Sequence, residues 1–212
     1  MCYNVKNRTF VVQELHKIPI ERSIHFPNRE NGHIMHLFEK TVESELIFDG
    51  KIIAVKKDRA ELENGEVVNR ELVVHPGGVC IVPITDEGEV LMVKQFRYPF
   101  QTVLTEIPAG KLEFGEDHRE AGLRELKEET GAACEKFEYL GVCYPSVAYL
   151  SEKIHMYLAT GLSFDKQKLD EDEFLDVIRV KFEDAVNMVM NNEIEDAKTQ
   201  CAILKAARIL GK

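Results

Sequence analysis

The chain has 212 residues, enough for one domain with an appendage or for two small lobes. Apolar residues make up 44% and charged residues 30%, a balance that excludes disordered and fibrous classes. The formal charge of −10, from 27 basic against 37 acidic residues, argues against wrapping nucleic acid, so an anionic substrate has to be met by local cations or a metal.

Residues 1 to 36 place His16, His25, His33 and His36 among charges and turn formers, without sustained periodicity. They read either as a small extra β element or dimerisation arm, or as a flexible extension with Met35 as a second candidate start; the latter is favoured. From Phe38 the pattern sharpens. Ser44 to Lys56 and Arg59 to Val74 are two β-rich runs, with Asn64-Gly65 as a hairpin signal, and they predict a small antiparallel lobe over 37–75. Residues 76–212 then form the main unit. Gly78 to Ile84 and Glu89 to Phe96 flank the turn Asp86-Glu87-Gly88, and Thr102 to Pro108 is a further short strand.

The first helix is predicted from about Asp117 to Thr130. Asp117 caps it, Ala121, Leu123 and Leu126 supply apolar positions, and Gly131 ends it. Phe137 to Tyr144, Ile154 to Ala159 and Phe174 to Val180 read as strands; helices at about Glu183 to Met190 and Asp196 to Leu210 close the chain. This order predicts an α/β (α+β) sandwich with helices packed on a mixed sheet.

The five cysteines, Cys2, Cys80, Cys134, Cys143 and Cys201, form no C-x-x-C pair and have no histidine at zinc-ligand spacing, so reduced and mostly buried thiols are expected. The mid-chain stretch free of charge, Leu72 to Thr85, is too short for a membrane span. The first residues show no apolar signal core. The expectation is a cytoplasmic chain with neither a membrane nor a nucleic-acid partner.

The chemistry concentrates on the first helix. Glu125 and Glu129 are four apart and share a face, with Glu128 near both, and like charges at that spacing destabilise a bare helix. Arg124 can offset part of the repulsion through Glu120 and Glu128 at i±4. A divalent cation between the carboxylates is the fuller answer, and Mg²⁺ suits it because it takes a few carboxylates, keeps waters and shares phosphate oxygens. The alternative is a solvated acidic helix face.

Gly110 to Ala132 matches the Nudix box, G-x5-E-x7-R-E-U-x-E-E-x-G-U, at every specified position. Seven fixed letters arise by chance on the order of 10⁻⁸ to 10⁻⁹ per starting point. The chain thus resembles the Nudix hydrolases, which implies an α/β/α sandwich and hydrolysis of a nucleoside diphosphate linked to another group. The resemblance implies Glu125 and Glu129 as metal ligands, with Glu128 in the same cluster and the Ala109 carbonyl beside them. It gives Arg124 the task of orienting the glutamates and Gly110 that of shaping a tight loop. Mg²⁺, with Mn²⁺ as a substitute, is the implied cofactor.

The flanks resemble bacterial ADP-ribose pyrophosphatases from Phe38 onward, in His75-PGGVCIVPITDEG, Val93-KQFRYP, Glu106-IPAGKLEFGE, Asp170-EDEFLDV and Glu195-DAKT. By that resemblance Arg97 reaches the substrate's phosphates or terminal ribose, Arg70 is a second candidate, and Ser146 lies at the ribose-adenine end. Glu173 falls where such enzymes carry a loop glutamate that binds metal or activates water. The resemblance also implies a homodimer formed through the N-terminal lobe. One departure stands out: where these enzymes usually show a Ser-Pro-Gly-Phe-type loop, this chain has Ser146-Val147-Ala148-Tyr149, with its proline at 145. Without Pro and Gly that loop needs other backbone angles. Tyr144 and Tyr149 could stack on a base, but buried packing is the expected role of both.

Overall fold

A computed structural model describes residues 37–113, 115–169 and 174–211, together with two short paired strands, β1 (Arg29–Glu30) and β2 (His33–Ile34). The other residues of the N-terminal segment, with Cys2, His16, His25 and His36, lie outside the described residues.

β3 (Lys40–Asp49), β4 (Ala54–Glu61) and β5 (Val67–Val74) form an antiparallel sheet in that order. The lobe therefore has three strands where the sequence suggested two runs. The first break comes at Gly50, whose N–H donates to the Ile53 carbonyl at 2.9 Å. Two register shifts in the β3–β4 pairing, at Thr41/Glu43 and Leu46/Phe48, disturb the alternation that would have marked the strand ends. Asn64-Gly65 does close the second hairpin, with Gly65 at φ 84°. β3 is exposed along its whole length.

The main unit is organised by β6 (Gly78–Pro83), all six residues of which are buried. It pairs in parallel with β11 (Ile154–Phe164) and antiparallel with β9 (Ala109–Lys111), while β11 pairs with β10 (Ala132–Cys143). A second sheet places β7 (Glu89–Arg97) between β8 (Thr102–Glu106) and β12 (Leu175–Lys181). Alternate side chains of β6 go to opposite faces. Val79 and Ile81 pack with Ala121 and Leu126 of α1 (His118–Thr130). Cys80 and Val82 pack with Phe182 and Ala185 of α2 (Phe182–Met190) and with Ala202, Ile203 and Ala206 of α3 (Ala197–Ile209). A strand covered on both faces reads as a continuous apolar run. The result is the expected α/β/α sandwich, with its strands divided between two sheets.

Helix ends follow their local chemistry. Asp117 accepts from the N–H groups of Arg119 at 2.9 Å and Glu120 at 3.2 Å. Gly131 sits at φ 70°, where a Cβ would come within 2.4 Å of the Asp165 carbonyl oxygen. That turn sends the chain directly into β10, which begins at Ala132 rather than at Phe137 as expected; β11 likewise runs on to Phe164.

Two packing expectations need correction. Among the described cysteines only Cys80 is fully buried, while Cys134, Cys143 and Cys201 are partly exposed free thiols on β10 and α3. Tyr144 and Tyr149 are 52% and 56% exposed rather than buried, because both fall in the surface connection between β10 and β11. Among the described residues no helix is long and apolar enough to cross a membrane.

Candidate active site

A five-residue stretch, from Glu106 at the end of β8 to Gly110 in β9, gathers the site. The Pro108 carbonyl accepts from Ile81 N–H at 2.9 Å, the Ala109 N–H donates to Glu129 Oε2 at 3.0 Å, and the Ile107 N–H donates to Thr199 Oγ1 at 3.0 Å. Gly110 has no room for a side chain, since a Cβ there would lie 1.9 Å from the Glu125 carboxyl carbon. Glu125 and Glu129, buried on α1, therefore converge on one dipeptide, Ala109–Gly110. Their separation of one helical turn puts both on the face that packs against β9.

Arg124 holds the outer side of this group. Its Nε and Nη2 donate to the two oxygens of Glu116 at 3.0 and 3.2 Å, and its Nη1 donates to Glu125 at 2.8 Å and Glu128 at 2.9 Å. Glu116, not Glu120, is thus the acidic partner one side of Arg124 meets; Asp117 is in an extended cap conformation, which brings the residue before it back over the helix. The Arg124 hydrogen bond holds the Glu116 carboxyl below the usual carboxylate range, and the same contact, ahead of Coulombic attraction to Glu125, raises the Arg124 guanidinium further above its already high value.

Beside Ala109–Gly110 opens a cavity of about 360 Å³, lined among others by His75, Arg97, Lys111, Pro145, Glu152 and Lys198. Arg97 grips Glu106 with a two-pronged pair, Nε to Oε1 at 2.6 Å and Nη2 to Oε2 at 2.7 Å. Lys198 Nζ also donates to Glu106 Oε2 and lies 3.0 Å from Asp196 Oδ2. Burial acts to raise the Glu106 pKa, but the hydrogen bond from Arg97 and the charge of Lys198 outweigh it and hold the carboxyl below its ordinary value. For Lys198 burial works against the charge, and Asp196 and Glu106 overcome it, so its ammonium titrates above its ordinary value.

The residues singled out in the sequence fall into three sets. Glu125, Glu129, Arg124, Glu128 and Ala109 come together, and Arg97 lines the same cavity as Ala109. Arg70 sits instead on β5 of the lobe, paired with Glu39 at 2.7 Å; Ser146 follows Pro145 but is not among the lining residues. Glu173 lies outside the described residues. Sequence reasoning attached no role to Glu106, Asp196, Lys198 or Thr199, although Glu106 and the Asp196 stretch lie in segments quoted above for their resemblance. The only local signal was the helix start at Asp196, whose Oδ2 accepts from Thr199 N–H at 2.9 Å.

A sandwich of this layout, with buried glutamates one turn apart facing a glycine-bearing strand, defines a class, and residues 74–202 match the NUDIX domain: the chain belongs to that family and is a Nudix hydrolase. The ADP-ribose pyrophosphatase of Bacillus subtilis (strain 168) is 47% identical to it over 169 residues, covering 79% of this chain and 91% of that protein. The methanol dehydrogenase activator of Bacillus methanolicus is 44% identical over 167 residues, covering 78% and 90%. The crystal structure of an ADP compounds hydrolase shares the fold with a TM-score of 0.74 at 22% identity, over 84% of this chain and 96% of that one. Within the family the chain is similar to ADP-ribose pyrophosphatases.

Proposed function

We propose that the chain hydrolyses the diphosphate bond of a nucleoside diphosphate derivative, with ADP-ribose, split to AMP and ribose 5-phosphate, as substrate and Mg²⁺ as metal. The observation that carries this reading is the convergence of the buried Glu125 and Glu129 carboxylates on Ala109–Gly110, at the wall of a cavity lined by the cations Arg97, Lys111 and Lys198. A volume of about 360 Å³ lies within the range of small-molecule sites.

The donor set fits a hard dication, because the side chains at this face are carboxylates. Mg²⁺ suits such a face, because it keeps several waters and takes oxygens from the substrate's phosphates. Glu125, Glu129 and the Ala109 carbonyl would hold it, with Glu128 beside them. When bound, the ion would neutralise charge on the diphosphate and acidify a coordinated water.

The chain's own residues do the rest. Arg124 fixes the orientation of Glu125 and Glu128. Arg97 offers the phosphates a planar guanidinium whose position Glu106 has already set. Glu173 accepts the proton of the attacking water. Water oxygen joins one phosphorus, the bridging P–O bond breaks, and the leaving phosphate takes the electron pair.

The exposed β3, with Val42, Leu46, Ile47 and Phe48 uncovered in the single chain, supports a homodimer formed through the lobe over 37–75, which is also where Arg70 would serve a partner's site. Free thiols fit a reducing, cytoplasmic setting. A second reading, a nucleotide-sugar or dinucleoside polyphosphate as substrate, draws on the loop at 146–149, where Val147 is 85% exposed in place of the expected Pro-Gly turn. Incubating ADP-ribose in ¹⁸O water, with and without Mg²⁺, should yield AMP and ribose 5-phosphate, one of them labelled, only when metal is present. Failure to form either product, while another diphosphate in the same panel is cleaved, would replace the first reading with the second.

A further inference from the structure

Lys198 is part of none of the chemistry described so far, yet its ammonium is buried at the cavity wall, with a side chain only 12% exposed. A lysine pays a large desolvation cost in such a place unless its charge is met. It is met twice, by Glu106 Oε2 and by Asp196 Oδ2. Glu106 is itself 1% exposed, and its carboxylate also accepts from Arg97 on both oxygens. Four charges, Arg97 and Lys198 against Glu106 and Asp196, sum to zero, and each carboxylate touches a cation.

The spare donors matter as much as the used ones. Arg97 spends Nε and Nη2 on Glu106, and among the described residues no hydrogen bond involves its Nη1. That edge belongs to a residue lining the cavity. The direction in which it is presented depends on where the Glu106 carboxylate lies, because a two-pronged pair is planar and fixes one group by the other. Glu106 in turn is tied to α3 through Lys198, on the same Oε2 that Arg97 Nη2 uses, and its neighbour Ile107 is tied to the same helix by Thr199, 92 residues away in sequence.

We propose that Lys198 is a positioning residue for the Nudix reaction: acting through Glu106, it sets the plane of the Arg97 guanidinium and so the grip of Arg97 on a substrate phosphate. This rests on the reading of Arg97 as a phosphate-facing group. Lys198 itself makes no contact with the substrate in this scheme. Losing it leaves Glu106 free to rotate with Arg97 still attached, so the guanidinium keeps its charge and loses its aim.

The test is a double-mutant cycle on the full chain, with Lys198→Met and Arg97→Lys singly and together, read as kcat and KM for ADP-ribose and as the dissociation constant for ADP by calorimetry. Lys198→Met should raise KM and weaken ADP binding about tenfold, with kcat changed less, and the effect should largely vanish in the Arg97→Lys background. Lys198→Arg, which keeps a cation against Glu106, should recover most of the loss. Lys198→Gln serves in the same cycle if the methionine variant melts below the assay temperature. Effects that add independently of Arg97, or a lowered melting temperature with unchanged KM and ADP affinity, would overturn the proposal. A wild-type chain that neither cleaves ADP-ribose nor binds ADP removes the functional reading as well; one that cleaves normally while the variants show no coupling removes this proposal alone.

Discussion

Two charge groups flank the stretch from Glu106 to Gly110, and they are built on opposite principles. Around Arg124, one guanidinium meets three carboxylates, Glu116, Glu125 and Glu128, so these four groups carry a formal −2, and the buried Glu129 stands one turn further on. Around Glu106, two cations meet two carboxylates and the sum is zero. A balanced buried network holds geometry, and it is costly to break because any single loss strands a charge. A group with surplus negative charge at a cleft is suited to receive a cation and the phosphates that travel with it. On the proposed reading the first group hosts the chemistry and the second aims it.

That contrast can be broken at either end. Glu129→Gln keeps a carbonyl oxygen for the Ala109 N–H, so melting should move little, while turnover should fall about a thousandfold, roughly 4 kcal/mol of barrier. Thermal melting and steady-state kinetics on one preparation check this, and normal turnover would move the chemistry elsewhere.

Glu106→Gln should cost about 3 kcal/mol of stability as well as weakening the grip of Arg97, because the buried Lys198 and the partly buried Arg97 lose their shared partner. Its pH dependence sharpens the point. A carboxyl whose pKa is lower in the folded than in the unfolded chain adds stability that is fully present above the unfolded value, near 4.5, and is lost as pH falls through the folded value. The gap in denaturation free energy between wild type and Glu106→Gln should therefore be constant from neutrality to about pH 5 and narrow below it. A gap that widens on acidification would mean that Glu106 is not held ionised by Arg97 and Lys198.

Gly110→Ala is the mildest of the three. A methyl 1.9 Å from the Glu125 carboxyl forces that group aside, so about 2 kcal/mol of strain or lost activity is expected, with activity affected more than melting.

How much of this was legible in the sequence depends on distance along the chain. Helix α1 was legible in full: Asp117 and Gly131 are local signals, and Glu125 and Glu129, which face Ala109–Gly110, lie on the same thirteen residues. The last two helices were placed within a residue at each end. The Gly50 turn was missed because the register shifts in β3 disrupt the alternation on which strand ends are judged. The split into two sheets was not legible, since β6 pairs with β9 and β11 across long stretches of chain. The Glu106 network was hidden for a related reason. Its members come from β7, β8 and the start of α3, and no local pattern links residues 92 positions apart. Arg97 was the first arginine candidate and Arg70 the second; Glu106 holds the first at the cavity, while Glu39 holds the second in the lobe.

The most direct measurement is the Mg²⁺ dependence of the melting temperature in the wild type and in the double variant Glu125→Gln/Glu129→Gln. Ligand that binds only the folded chain raises its stability in proportion to the logarithm of concentration over dissociation constant. Millimolar Mg²⁺ added on top of ADP should raise the wild-type midpoint by several further degrees and add nothing in the double variant; equal further shifts in the two would contradict a cation held at the Ala109–Gly110 face.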